Sequence, residues 1–238
     1  MLGREIRGRV SGLLLFAFFL LFHLRYLVQR WHLFDRVARL NSLLITLTII
    51  LFLSAYLIRK RAVEFPHGFM ETGYPLVCAA LPLIIYHNVE ILHYISTDSR
   101  IYSPLSRFLG LYRHHLLGWN LCSMTLIIAG NLITLSGMVF LKRSFSIMVE
   151  ARAPVYRGIY AYIRHPLYLG EIVATVGVLI FRFSIINIIL TLLFVLGQRI
   201  RAGIEEKKLI HAFPEYLEYR RKTGGFSPKW PYYDNRAT

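Results

Sequence analysis

The chain has 238 residues, 55% of them hydrophobic and 17% charged, with a mean hydropathy of +0.48. Several apolar runs are too long for ordinary core helices, which excludes a water-soluble globular enzyme and reads as an integral membrane protein. The net charge of +15 has no folded basic domain behind it, so basic loops facing anionic lipid headgroups account for it and nucleic-acid binding does not.

Runs of roughly 17 to 25 apolar residues predict spans at Val10–Val28, Leu43–Ile58, Tyr74–Ile95 and Leu116–Leu141. A final block, Leu167–Ile200, is too long for one crossing. Arg182 and Ser184 interrupt it, so it reads as two short helices, about Leu167–Phe181 and Ile185–Ile200, folded as a hairpin. The expectation is an all-α polytopic bundle of about six transmembrane helices, with a C-terminal hairpin and a cytoplasmic C-terminal helix. The first span resembles a signal peptide, with Arg4, Arg7 and Arg9 ahead of the apolar run, but His23, Arg25 and Tyr26 follow it where small residues would mark cleavage. It reads as an uncleaved anchor. With six spans, 20 of the 28 Lys and Arg residues fall on the side of both termini, and the positive-inside rule makes that side cytoplasmic. Cys78 and Cys122 stand alone within apolar spans and read as packing residues. No repeat or Gly/Pro-broken helix pair points to a transporter.

Candidate chemistry appears in two places. The third span carries His87, Asn88, Glu90 and His93, but His87 and His93 lie about 120° apart around a helix, a poor fit to one metal. His114 and His115 are adjacent and face different ways. No metal site is expected, and these groups read as polar contacts within the bundle. The C-terminal half is denser. In "RGIYAYIRHPLYLGE", Pro166 suits the first turn of a helix, which places His165 at its N-cap and Arg164 just before it. The free N–H groups there, with Arg157 and Arg164, favour an anionic group, and Tyr160, Tyr162 and Tyr168 add aromatic faces. After the hairpin, "QRIRAGIEEKKLIHAFPEYLEYRR" sets Arg201 and Glu205 four apart on one helical face, continued by Leu209 and Phe213. The hairpin returns this segment to the side of His165, so the two clusters converge on one headgroup-level pocket.

Together, "RSFSI", "YIRHPLYLGE" and, after the hairpin, "RAGIEEKKL" resemble the isoprenylcysteine carboxyl methyltransferase family of integral membrane methyltransferases, over about Arg143 to Pro228. The resemblance divides the chain into 1–141, about four N-terminal spans, and 142–238, a methyltransferase-like region. It implies an S-adenosylmethionine site at Val155, Tyr160, His165, Pro166, Leu167, Tyr168 and Glu205, with Arg152, Arg164 and Glu206 as further candidates. It also implies that Arg201 grips the acceptor, a lipophilic molecule whose reacting group is a carboxylate in prenylcysteine-like substrates. Side-chain chemistry agrees, since a sulfonium suits aromatic faces and a carboxylate. No GxGxxG fingerprint of a soluble nucleotide-binding fold occurs.

Two features depart from the family pattern: the hairpin turn "FRFSIIN" lacks an Asn-Pro, and Pro214 stands where glycine is common. An ionised carboxylate acceptor needs no general base, whereas a lipid amine would need one, with Glu206 or His211 as candidates. Membrane steroid and sterol reductases, which use NADPH, also resemble "RHPLYLGE" and the tail "EYRRKTGGFSPKW". A non-enzymatic lipid-binding protein is the third reading. A test for NADPH separates the second from the first.

Overall fold

The computed structural model describes residues 2–34, 36–95 and 117–229. In chain order the helices are α1 (Leu2–Arg30), α2 (Arg36–Ile58), the short α3 (Gly68–Glu71), α4 (Gly73–Ile95), α5 (Leu117–Leu141), α6 (Pro166–Phe181), α7 (Ile185–Ala212) and α8 (Tyr216–Lys222). Among the described residues there are no strands, only two isolated bridges. Four helices contain stretches long and apolar enough to cross a membrane: Gly8–Arg30, Arg39–Ile58, Gly118–Ser144 and Ile185–Ala212. The expectation of six such spans is therefore met for four. At 16 residues, α6 rises only about 24 Å, less than a hydrocarbon core. In α4 the described apolar stretch is Gly73–Pro82.

The second hairpin helix does not stop near Ile200. It continues to Ala212, because Arg201, Ala202, Glu206 and Lys208 form a buried face that packs inside the protein despite its charge. The turn before it manages without an Asn-Pro. Ser184 Oγ accepts from the Asn187 N–H at 3.1 Å, capping α7, and Asn187 Nδ2 donates to the Arg182 carbonyl at 2.6 Å.

α5 and α6 run antiparallel and are the closest helix pair. Small residues on both permit the approach. A Cβ on Gly130 would lie 2.5 Å from the Gly170 carbonyl oxygen, and one on Gly170 equally close to that of Gly130. Ser123 Oγ donates to the Gly177 carbonyl at 2.8 Å, extending the seam. This contact fixes the N-terminus of α6, and hence His165 and Tyr168, against the rest of the bundle. Cys78 is buried and packs as expected, whereas Cys122 faces outward from α5.

One end of the bundle collects the loops 59–67 and 142–165, the start of α1 and the end of α7. The first two loops pair through backbone bonds, Val63 N–H to Ala151 O at 2.8 Å and Ala151 N–H to Glu64 O at 3.1 Å. Residues 162–165 pair with 224–225, Arg164 N–H donating to Gly224 O at 2.8 Å and His165 N–H to Gly225 O at 3.1 Å.

Candidate functional site

The two polar clusters meet at this end. Pro166 opens α6 with His165 at the N-cap, and α7 passes beside them. His165 is buried, with Nε2 2.9 Å from Glu206 Oε1 and its ring stacked on Tyr168 at 5.4 Å between centroids. Phe226, from the C-terminal segment, stacks nearby at 5.7 Å. Tyr168 donates its hydroxyl to Glu205 Oε1 in a short bond. Arg201 is 4% exposed, lies 4.7 Å from the centre of the Tyr168 ring and has its Nε 3.8 Å from Glu205 Oε1. Its Nη2 donates to the Ile147 carbonyl at 2.6 Å. That carbonyl is held in turn from the first half of the chain, since the Ile147 N–H donates to Tyr56 Oη of α2 at 3.0 Å.

Glu206, neighbouring Glu205, faces another way. It accepts from Arg164 Nε at 2.7 Å and pairs with Arg220 Nε at 2.8 Å, so with His165 it has three basic partners. Arg164 also donates to the carbonyls of Arg220 and Thr223. This arginine is thus spent on tying α6, α7 and the C-terminal segment together. Tyr160 is buried, its carbonyl accepting from Tyr219 Oη at 2.7 Å. Tyr162 and Arg157, expected beside the site, are exposed outside it. The expected pair of arginines for an anion at the α6 N-terminus is therefore replaced by one committed arginine and one exposed one. His211 is exposed and pairs with Glu64 at 2.6 Å.

These groups line one end of a cavity of about 380 Å³. Val155, Tyr160, His165, Pro166, Leu167, Tyr168, Arg201 and Glu205 all border it, as do Arg152 and Arg164. From there the cavity continues as a largely apolar channel between α1, α2, α5 and α6, past Phe52, Ile49 and Thr134 to Asn41 and Asn131. Along α2, from Phe52 to Asn41, this is roughly 16 Å at 1.5 Å per residue. Asn131 Nδ2 donates to Asn41 Oδ1 at 2.8 Å at the far end. The first two helices thus wall the channel and, through Tyr56, steady Arg201.

Glu171 and Gln198 were not singled out by sequence. Glu171 lines the cavity, with its Oε2 accepting from Gln198 Nε2. The signal was present in register: Glu171 follows Tyr168 by three residues, and Gln198 precedes Arg201 by three, so each shares a helical face with a recognised residue. Arg152 is buried in a different cluster. It pairs with Glu150 at 2.6 Å and Glu5 at 3.3 Å, and Arg59 bridges the same two glutamates at 3.4 and 3.1 Å. Burial alone would raise the Glu5 carboxyl, but the Arg152 and Arg59 guanidiniums outweigh it and hold it below its ordinary value. Among the described residues no group of His, Cys, Asp and Glu could hold a metal. The side chains of His87, Asn88, Glu90 and His93, and the whole of His114 and His115, lie outside the described residues.

Residues 123–211 match the model of the isoprenylcysteine carboxyl methyltransferase (ICMT) family. The match starts within α5, upstream of the motifs, and takes in the α5–α6 seam and nearly all of α7. The cobalt-zinc-cadmium resistance protein CzcN of Cupriavidus metallidurans is 33% identical over 85 residues, 35% of this chain and 39% of that protein. The chain thus spans about two fifths of that relative's length. A structure of the eukaryotic intramembrane Ras methyltransferase ICMT (isoprenylcysteine carboxyl methyltransferase), without a monobody, aligns with a TM-score of 0.45 at 16% identity, over 94% of this chain and 95% of that one. From α5 to the end of α7 the chain is ICMT-like in sequence.

Proposed function

We propose that this integral membrane protein is an S-adenosylmethionine-dependent methyltransferase acting on a lipophilic acceptor. The observation that carries the reading is the single cavity that joins a carboxylate-and-aromatic end to an apolar channel. A water-soluble donor fits the first part and a lipid tail the second.

The residues at the polar end suit the donor. Glu205, oriented by the Tyr168 hydroxyl, offers a carboxylate, and Tyr160 and Tyr168 offer ring faces to a cation. Leu167 and Tyr168 sit in the first turn of α6, where backbone N–H groups have no intrahelical acceptor and favour a carboxylate. Val155 and Pro166 add apolar wall. Bound there, S-adenosylmethionine supplies an electrophilic methyl group on a sulfonium. The chain's task is alignment and exclusion of water. Arg201, immobilised by Ile147 and Tyr168, borders the point where the acceptor's polar end would meet the methyl group. Arg164 and Glu206 hold the frame around His165, and Arg152 holds the loop that leads to Val155.

NADPH fits less well. Its phosphates call for free cations, and Arg164 and Arg220 are both engaged by Glu206. The same basic end of the bundle would lie at the cytoplasmic surface, among anionic lipids, with both termini on that side.

Calorimetric titration of the detergent-purified protein with S-adenosylmethionine and with NADPH tests the assignment. Binding of S-adenosylmethionine, weakened at least about tenfold, or 1.4 kcal/mol, by Glu205→Ala, is expected. Binding of NADPH alone would transfer the pocket to the reductases.

A further inference from the structure

We propose that the turn between α1 and α2 binds the headgroup of an anionic phospholipid, at the end of the bundle remote from Arg201 and Glu205. The site is independent of the methyltransferase reading.

The stretch from Arg25 to Arg39 holds four arginines, Arg25, Arg30, Arg36 and Arg39, against a single acidic residue, Asp35. At the other end of the bundle arginines are engaged: Arg9, Arg59, Arg152, Arg164, Arg201 and Arg220 each have a carboxylate oxygen within 3.8 Å. Among the described residues, none of the four at the turn has one. The Arg39 Nε is also buried and without a hydrogen-bond partner. A buried N–H that lacks an acceptor is costly, and a bound oxyanion removes that cost.

Local packing presents these cations to a ligand. Arg39 Cζ lies 5.1 Å from the centre of the Trp31 ring, and Arg30 Cζ 6.0 Å from that of Tyr26. Tyr26 in turn packs against Phe34 at 5.9 Å. A ring covers the flat face of a guanidinium and leaves its in-plane N–H edge for a phosphate. α2 begins at Arg36 with no acidic residue in its first turn, so the positive end of its dipole adds to the same field.

Depth fits a headgroup. From Glu5 to Arg30, α1 rises about 37 Å at 1.5 Å per residue, more than the roughly 30 Å of a hydrocarbon core. The turn therefore reaches the membrane surface opposite the cluster that holds Glu5. It joins Gly8–Arg30 to Arg39–Ile58, two stretches apolar enough to span, so the arginines stand where the apolar helices end. Exposed Trp31 suits the same level. Directly inward, Leu21, Leu24 and Val28 of α1 and Leu40 and Leu43 of α2 are exposed, an apolar flank that acyl chains cover and a soluble anion would leave bare. Tyr26 also borders the channel beside His23 and Asn41, so the bound headgroup lies over the channel's far end.

The test uses the full-length protein in detergent, titrated with dioleoylphosphatidylglycerol or dioleoylphosphatidylcholine and read by native mass spectrometry. Phosphatidylglycerol should bind at least tenfold more tightly than phosphatidylcholine. Arg30→Gln/Arg39→Gln should weaken its binding at least tenfold, as expected for two basic residues lost at a lipid surface. Arg157→Gln/Arg221→Gln, at exposed arginines elsewhere, should change it less than twofold. Arg30→Lys/Arg39→Lys, which keeps the charges, should retain part of the binding and carries the test if the Gln variant does not fold. Equal affinity for the two lipids, equal phosphatidylglycerol binding by wild type and the Arg30/Arg39 variants, or an equal loss in the Arg157/Arg221 variant overturns the proposal. Displacement of the lipid by inorganic phosphate overturns it in favour of a soluble anion. None of these outcomes bears on S-adenosylmethionine titration, so the two readings fail separately.

Discussion

Two groups of arginine and glutamate lie at the same end of the bundle and are built to different ends. In the first, Glu5, Arg59, Glu150 and Arg152 close on one another, each glutamate touching both arginines at 2.6 to 3.4 Å. In the second, Arg201 and Glu205 stand 3.8 Å apart and Glu171 has no ion-pair partner among the described residues. Charges that pair chiefly with one another tie α1, α2 and the loop before α6 together, even though Glu150 and Arg152 also border the cavity and Arg152 Nη1 keeps a free donor. An under-paired set at a cavity wall retains capacity for a ligand. The difference separates a clamp from a reaction site in a way that residue types alone do not.

Substitutions should divide along the same line. Arg59→Ala leaves two buried carboxylates short of a partner and should cost about 3–5 kcal/mol, read as a large fall in the thermal midpoint in detergent. Equal midpoints for variant and wild type would mean that the clamp is not structural. Arg201→Ala should instead cut methyl transfer about 10²-fold, near 2.7 kcal/mol, with a smaller fall in midpoint, equivalent to about 1–3 kcal/mol, from the lost bond to the Ile147 carbonyl. Retained turnover would remove Arg201 from the site. Tyr219→Phe removes the buried bond to the Tyr160 carbonyl and should destabilise by about 1–3 kcal/mol, with S-adenosylmethionine affinity falling because the Tyr160 wall loosens. Ser184→Ala deletes the α7 cap far from both clusters. It should cost about 1 kcal/mol and leave ligand binding unchanged.

The clamp should also reveal itself with pH. Glu5 has a lowered native pKa, so its contribution is fully present above its unfolded value, near 4.5. It is lost as the pH falls below that value and through the lowered native one. Unfolding midpoints measured downward from pH 6 should therefore fall more steeply for wild type than for Glu5→Gln. Parallel curves would show that the Glu5 charge is not linked to folding.

Local features were legible in the sequence. Pro166 at the first turn, His165 at the cap and the i,i+4 pair Arg201–Glu205 follow from spacing, and the hairpin brings them together as expected. What escaped reading depends on partners distant in the chain. Tyr56 steadies Ile147 across 91 residues, and Glu5 reaches Arg152 across 147, contacts that no periodicity encodes. The length of α7 was underestimated because charges at Arg199, Arg201 and Glu205 look like an exit from the membrane, whereas the helix runs on to Ala212 with Arg201, Glu206 and Lys208 buried inside the protein. Cys122 looked like packing by composition, and only the rotation of α5 shows that it faces out. Tyr162 was grouped with Tyr160 by proximity, yet the turn at Gly158–Ala161 sends the two rings to opposite environments.

The pairing of residues 224–225 with 164–165, and the contact of Phe226 with His165, bear on how the protein is made. Every helix that walls the cavity, α8 with Tyr216 and Tyr219 included, precedes this segment, so a nascent chain halted after α8 would hold all of them and still lack part of the enclosure around His165. Competence to bind the donor should arrive only once residues 224–226 have been added, after the apolar helices are already in place. A growing chain would then be inserted first and active second, with no half-built site turning over donor during its assembly.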